Sequence, residues 1–179
     1  MICLAPRVPG EIVGPRRLSG SAGRPLNFTV RRYPLSAVPP IGSRGGVWRF
    51  AKPASDDAIA ALRASAPVGI PSSYYNFLRI TNGGEGDLGV DPGWFAPWPA
   101  EHVVQNNRQY QLAEWVPGLF GFGSNGGGEC FAFDFRETGC GRIVTVPFIP
   151  LDLREAVVIA ESFEQFSLFV GMPPAGGTV

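Results

Sequence analysis

The sequence predicts an α+β fold: a mixed, mainly antiparallel β-sheet packed against N-terminal and C-terminal helices. Three observations carry this prediction. Helical apolar stripes occur early, between residues 55 and 81, and again at the end, between 162 and 170. A run of short strands lies between them, with Phe131, Phe133 and Phe135 alternating with Ala132 and Asp134 as on a strand with one buried face. Helices, then strands, then a helix, without regular β-α-β alternation, indicate an antiparallel sheet rather than a parallel one.

The elements follow in order. Ser55 is an N-cap residue, and Asp56 and Asp57 suit the positive end of a helix. Ala58, Ile59, Ala61 and Leu62 form its stripe, and Pro67 and Gly69 end it. Pro71 suits the first turn of a second helix, where Tyr74, Phe77, Leu78 and Thr81 follow helical spacing. Asn82-Gly83-Gly84 is a stop, because glycine takes the left-handed conformation without steric cost. Strands are expected around Leu88–Val90 and Trp94–Trp98, and a third helix from Pro99 to Gln111. Three more strands are expected at Leu119–Gly123, Glu129–Phe135 and Arg142–Phe148. Ser162 to Val170 closes the chain as a helix with Phe163, Phe166 and Phe169.

The chain of 179 residues suits one domain. It divides by composition. Residues 1–46 hold seven Pro, seven Gly, seven Arg and one Glu, with no Lys or Asp. This reads as a disordered basic tail in which only Leu26–Val30 could form a strand. A nucleic-acid arm and a targeting peptide are the functional alternatives, but the prolines forbid the amphipathic helix that targeting peptides use. The folded unit is placed at 47–172, with a short tail at 173–179. Residues 51–179 carry seven bases against fourteen acids, so the folded part is acidic and the first 50 residues are basic. Such a field speaks about partners rather than fold. No apolar run approaches a membrane span, and Cys3, Cys130 and Cys140 are too few and scattered for a disulfide framework. A reducing, cytoplasmic setting is expected.

No constellation for catalysis stands out. His102 is the sole histidine, and no serine sits among nucleophile-elbow glycines. One histidine and three separate cysteines do not make a metal site. Carboxylates are numerous, which leaves a carboxylate-based hydrolase as a weaker alternative. Gly121-Phe122-Gly123-Ser124-Asn125-Gly126 matches the dinucleotide-binding pattern in letters. That pattern needs a following helix, whereas Asn125-Gly126 favours a hairpin turn into a strand. Lys52, followed by Pro53, cannot serve a P-loop. Trp48, Trp94, Trp98 and Trp115 could stack bases, but single-strand binders pair aromatics with a positive groove, and this region is acidic.

Ile70-Pro71-Ser72-Ser73-Tyr74-Tyr75-Asn76-Phe77-Leu78, followed by Asn82-Gly83-Gly84-Glu85-Gly86, resembles the signature of the SMI1/KNR4 (SUKH) superfamily. The resemblance continues in Asn106, Asn107 and Tyr110, and in Gly123-Ser124-Asn125-Gly126-Gly127-Gly128-Glu129 leading into Phe131-Ala132-Phe133-Asp134. It ends at Ile159-Ala160-Glu161-Ser162-Phe163 and Phe166. It spans about residues 50–170 and departs at Asn125, where related sequences often carry Asp. The resemblance implies a non-enzymatic binding module without cofactor, metal or small-molecule ligand. Bacterial members act as immunity proteins that neutralise a cognate toxin, often a nuclease, in contact-dependent or polymorphic toxin systems. Eukaryotic relatives are regulatory scaffolds in cell-wall signalling. Of its motif residues, Pro71, Tyr74, Phe77, Leu78, Asn82, Gly83, Gly84, Gly86, Tyr110, Gly127, Phe133, Asp134 and Phe163 are expected to be mainly structural. Partner contact is expected from Glu85, Asp87, Asp91, Glu101, Glu114 and Glu129 with Trp94, Trp98 and Trp115. Five of these acids lie between Glu85 and Glu114, where only Arg108 offsets them, and aromatic anchors inside a charged rim are usual interface anatomy.

Overall fold

Seven strands of this chain follow one another in space in the order they follow in sequence. The computed structural model describes residues 16–17, 40–67, 69–136 and 141–174. The strands are β1 (Arg16–Arg17), β2 (Trp48–Phe50), β3 (Gly84–Asp87), β4 (Trp94–Pro97), β5 (Leu119–Ser124), β6 (Glu129–Asp134), β7 (Arg142–Pro147) and β8 (Val157–Ala160). The sheet order is β1-β8-β7-β6-β5-β4-β3-β2, and all its pairings are antiparallel. Helices α1 (Asp56–Ser65) and α2 (Ser72–Leu78) interrupt the meander between β2 and β3; α3 (Ala100–Gln109) and α4 (Leu112–Trp115) interrupt it between β4 and β5. Helix α5 (Phe163–Phe169) follows β8. The expected α+β class stands, with the sheet wholly antiparallel across the described pairs.

Local chemistry explains the boundaries. The Ser55 side chain accepts from the Ala58 N–H, and the Ser162 side chain from the Gln165 N–H, so both serines cap their helices as expected. Helix α2 ends at Leu78 rather than at Thr81. Thr81 lies beyond it, buried, where its hydroxyl donates to the Gly83 carbonyl and accepts from the Ala51 N–H. The expected third helix is α3; Gln111, with a left-handed φ of 54°, separates it from the short α4, which lies beyond the expected range. The strand expected at Leu88–Val90 instead precedes it as β3; Leu88 makes only an isolated bridge with Val170. Strands β1, β2 and β8 were not expected; β1, paired with β8, lies in the stretch read as a disordered tail. The possible strand at Leu26–Val30, and Cys3 and Cys140, lie outside the described residues. Described residues 40–46, placed in the tail by composition, touch the domain: the Arg44 guanidinium bonds the carbonyls of Ser167, Leu168 and Val170 at the end of α5.

One face of the sheet carries an aromatic core. Tyr74, wholly buried, lies 5.2–5.6 Å from the rings of Phe163, Phe133 and Phe122. Phe95 meets Phe131 at 4.9 Å and Phe166 at 5.0 Å, edge to face. Such pairs add about 0.5–1.5 kcal/mol each beyond area burial. A bulge lies between Gly121 and Gly123. It lets Phe122 join the core, 4.7 Å from Phe133, while Gly121 faces Leu112, Cys130 and Trp98 on the other side. Helices α3 and α4 lie along that second face.

Candidate partner-binding surface

Three asparagines of the motif region bond backbone groups across elements. Pro99 precedes α3 without a side-chain cap. Asn82 caps it from a distance: its Oδ1 accepts from the Ala100 N–H (2.7 Å) and its Nδ2 donates to Glu101 (2.8 Å). That bond is the first cause holding the Glu101 carboxyl below its usual range. Asn107 spans α3 and the bulge. Its Oδ1 accepts from the Gly121 N–H and its Nδ2 donates to the carbonyls of Gly121 and Val103, all at 2.8 Å. Asn125 organises the β5–β6 turn, accepting from the N–H groups of Gly127 and Glu129. The glycines around it run straight into β6, so the apparent dinucleotide pattern is a hairpin turn.

Asp134 is buried, with its carboxylate bonded to Arg136 at 2.9 Å and lying 3.5 Å from Arg142. Burial alone would raise its pKa. The hydrogen bonds from Arg136, with the charges of both arginines, outweigh it and hold the carboxyl below the usual range. Burial pushes the Cys130 thiol up to about 12, leaving it unreactive. His102 is exposed on α3. Among the described residues there is no cluster of three or more metal-ligating side chains, and no helix long and apolar enough to cross a membrane.

The nine expected contact residues have different partners. Glu85 pairs with Arg49 on the neighbouring strand at 2.6 Å, and Asp87 accepts the Val47 N–H at 2.7 Å, so both serve the β2–β3 edge. Asp87 stands directly opposite half-buried Trp94. Glu101 belongs to the α3 cap. Glu114 and exposed Trp115 are both held by Gln111. Glu129 differs: burial first, and then the charge of Asp91, raise its carboxyl above the usual range. Neither carboxylate has an ion-pair partner among the described residues.

Trp98 is buried, but one side of it is covered by Tyr110 in a stack at 5.8 Å and 15°. Tyr110 in turn stacks on Phe148 at 4.4 Å and 30°. Tyr110 was expected to be structural, yet it is 45% exposed. Its ladder partner Phe148 was expected only as the end of a strand, and the exposed Ile149 follows it; the strand pattern does not show that Tyr110, just after α3, meets that end. A separate cavity of about 520 Å³ lies between the 40–44 segment, α2 and α5, and takes in Arg44, Phe50, Ser73 and Ile80 but none of the nine.

The fold is a helix-interrupted antiparallel meander whose motif asparagines bond backbone groups at a helix start, a bulge and a turn. Residues 53–168 match the family model described as SMI1 / KNR4 family (SUKH-1). The chain belongs to that family. A comparison with curated proteins found no match.

Proposed function

We propose that this domain works by binding another protein, and that it is an immunity protein neutralising a cognate bacterial toxin, of which a nuclease is the best-fitting kind. The carrying observation is the family match over most of the folded part combined with that part's charge, fourteen acids against seven bases after residue 50. Nucleases present basic surfaces to phosphate backbones, and an acidic protein can cover the same surface and associate quickly with it. The engagement of the motif asparagines with backbone groups supports a non-enzymatic role. A cytoplasmic setting fits a protein that meets a toxin where it acts. The test is to identify a toxin gene next to the gene for this chain and to co-express its C-terminal domain with this chain. Cells carrying both should survive induction. Killing that is undiminished by this chain refutes the immunity reading, and retention of a regulatory, non-toxic partner instead would favour a scaffold.

A further inference from the structure

We propose that the partner docks on the edge formed by Tyr110, Phe148, Ile149 and the Gly126–Gly128 turn, and that it presents a basic surface there. This rests on the protein-binding reading above and places it. The β5–β6 turn and the end of β7 are one unit, since the Phe148 N–H donates to the Gly128 carbonyl at 2.7 Å. Tyr110 at the end of α3 stacks on that same Phe148. In the ladder Trp98 is 8% exposed, Tyr110 45% and Phe148 half-buried, and Ile149, the residue after Phe148, is 91% exposed. The inner rung is anchored in the fold, and Tyr110 and Ile149 are open. Rigid aromatic side chains seated in this way lose little entropy on contact, which is why they dominate binding energy at interfaces. Trp115, also exposed, donates its indole N–H to Gln111, the residue after Tyr110.

The charge beside this edge fixes the kind of partner. Glu129 starts β6 directly after the turn and feels Asp91. Glu85, Asp56, Asp134 and Asp152 each have an arginine; Asp91 and Glu129 are two of the nine described acids that have no such cation among the described residues. A lysine or arginine from a partner relieves their repulsion and completes a charged rim around an apolar centre.

Gly128 supplies an independent sign. Gly126 needs its positive φ of 71°, but Gly128 has no such φ, and a Cβ placed on it meets nothing within 4 Å. Nothing within the fold requires glycine there. A partner backbone approaching closely does.

Because that space is open, Gly128→Trp tests the surface without disturbing the fold. The probe is that same toxin domain, purified, with binding followed by biolayer interferometry. Gly128→Trp and Ile149→Asp should keep the wild-type melting temperature and bind about tenfold weaker or worse. Glu129→Gln should slow association and flatten its salt dependence. Ile80→Asp, at the separate cavity, should bind as wild type. Binding by Gly128→Trp at wild-type strength overturns this placement and leaves the immunity reading intact. No binding by the wild-type protein overturns both. Sedimentation velocity of the protein alone covers a second copy as occupant: a dimer abolished by Gly128→Trp overturns the assignment to a foreign basic partner.

Discussion

Gly83 and Gly84 adjoin in sequence and both have positive φ, 105° and 92°, yet substituting them should have different costs. At Gly83 a Cβ finds its nearest neighbour, Pro99 Cγ, at 3.4 Å, an ordinary contact. Alanine there carries only left-handed strain, about 1–2 kcal/mol. At Gly84 the same strain is joined by a collision: the Cβ would lie 2.3 Å from the Arg49 carbonyl and 3.2 Å from both the Ala51 nitrogen and Thr81 Oγ1. These atoms are backbone of β2 and its hydrogen-bonded support, because Gly84 is paired with Phe50 and Thr81 accepts from the Ala51 N–H. Relief requires β2 to move away. Two or so hydrogen bonds weakened in this way add about 1–3 kcal/mol. The total for Gly84→Ala is then about 2–5 kcal/mol, a large share of the roughly 5–15 kcal/mol typical of a domain. Urea unfolding followed by tryptophan fluorescence measures both variants against wild type. Equal midpoints for Gly83→Ala and Gly84→Ala would refute the collision argument, and two unchanged midpoints would refute the strain argument as well.

Three further outcomes are expected. Asp134→Asn should destabilise by about 1–3 kcal/mol at neutral pH. Because the native carboxyl titrates below its unfolded value, its contribution is present above about pH 4 and lost as pH falls through the folded pKa; a penalty that shows no decrease at any pH below about 4 in chemical unfolding would contradict this. Asn107→Leu leaves the N–H and carbonyl of Gly121 unpaired at the bulge and should cost about 2–4 kcal/mol, with unchanged melting ruling the clamp out. Tyr74 Oη is buried without a hydrogen-bond partner among the described residues, so Tyr74→Phe should be neutral or stabilising by up to about 2 kcal/mol; a clear loss in calorimetry would mean that the hydroxyl has a partner.

The helices were legible where their own side chains set them. Ser55 and Ser162 cap through local bonds, and the phenylalanines of α5 and β6 show their periods directly. Strand β3 was not legible, because Gly84 and Gly86 look like turn residues; their reason lies across the sheet, where a Cβ on Gly86 would meet the Val47 carbonyl at 2.3 Å. Strand β2 is only three residues long and has no period to detect. The acids illustrate the same limit. Their density between Glu85 and Glu114 is visible in the chain, but Arg49, Val47 and Asn82, which engage Glu85, Asp87 and Glu101, come from elsewhere in it. Glu129 and Asp91, distant in sequence, come under each other's charge only on folding.

The sequential strand order also bears on how the sheet is assembled in time. Partners β5 to β8 are joined by short connections, whereas residues 51–83, including α1 and α2, must be closed off before β2 can reach β3. Loop closure of that longer segment brings little reward until the far end meets. The β5–β8 half is therefore the natural nucleus, and β2–β3 a late addition. Changes at Gly84 should then mainly speed unfolding, while changes at Phe131 or Val144, within β6 and β7, should slow folding. The edge strand that begins the folded region would thus be the last part to form and the first to leave.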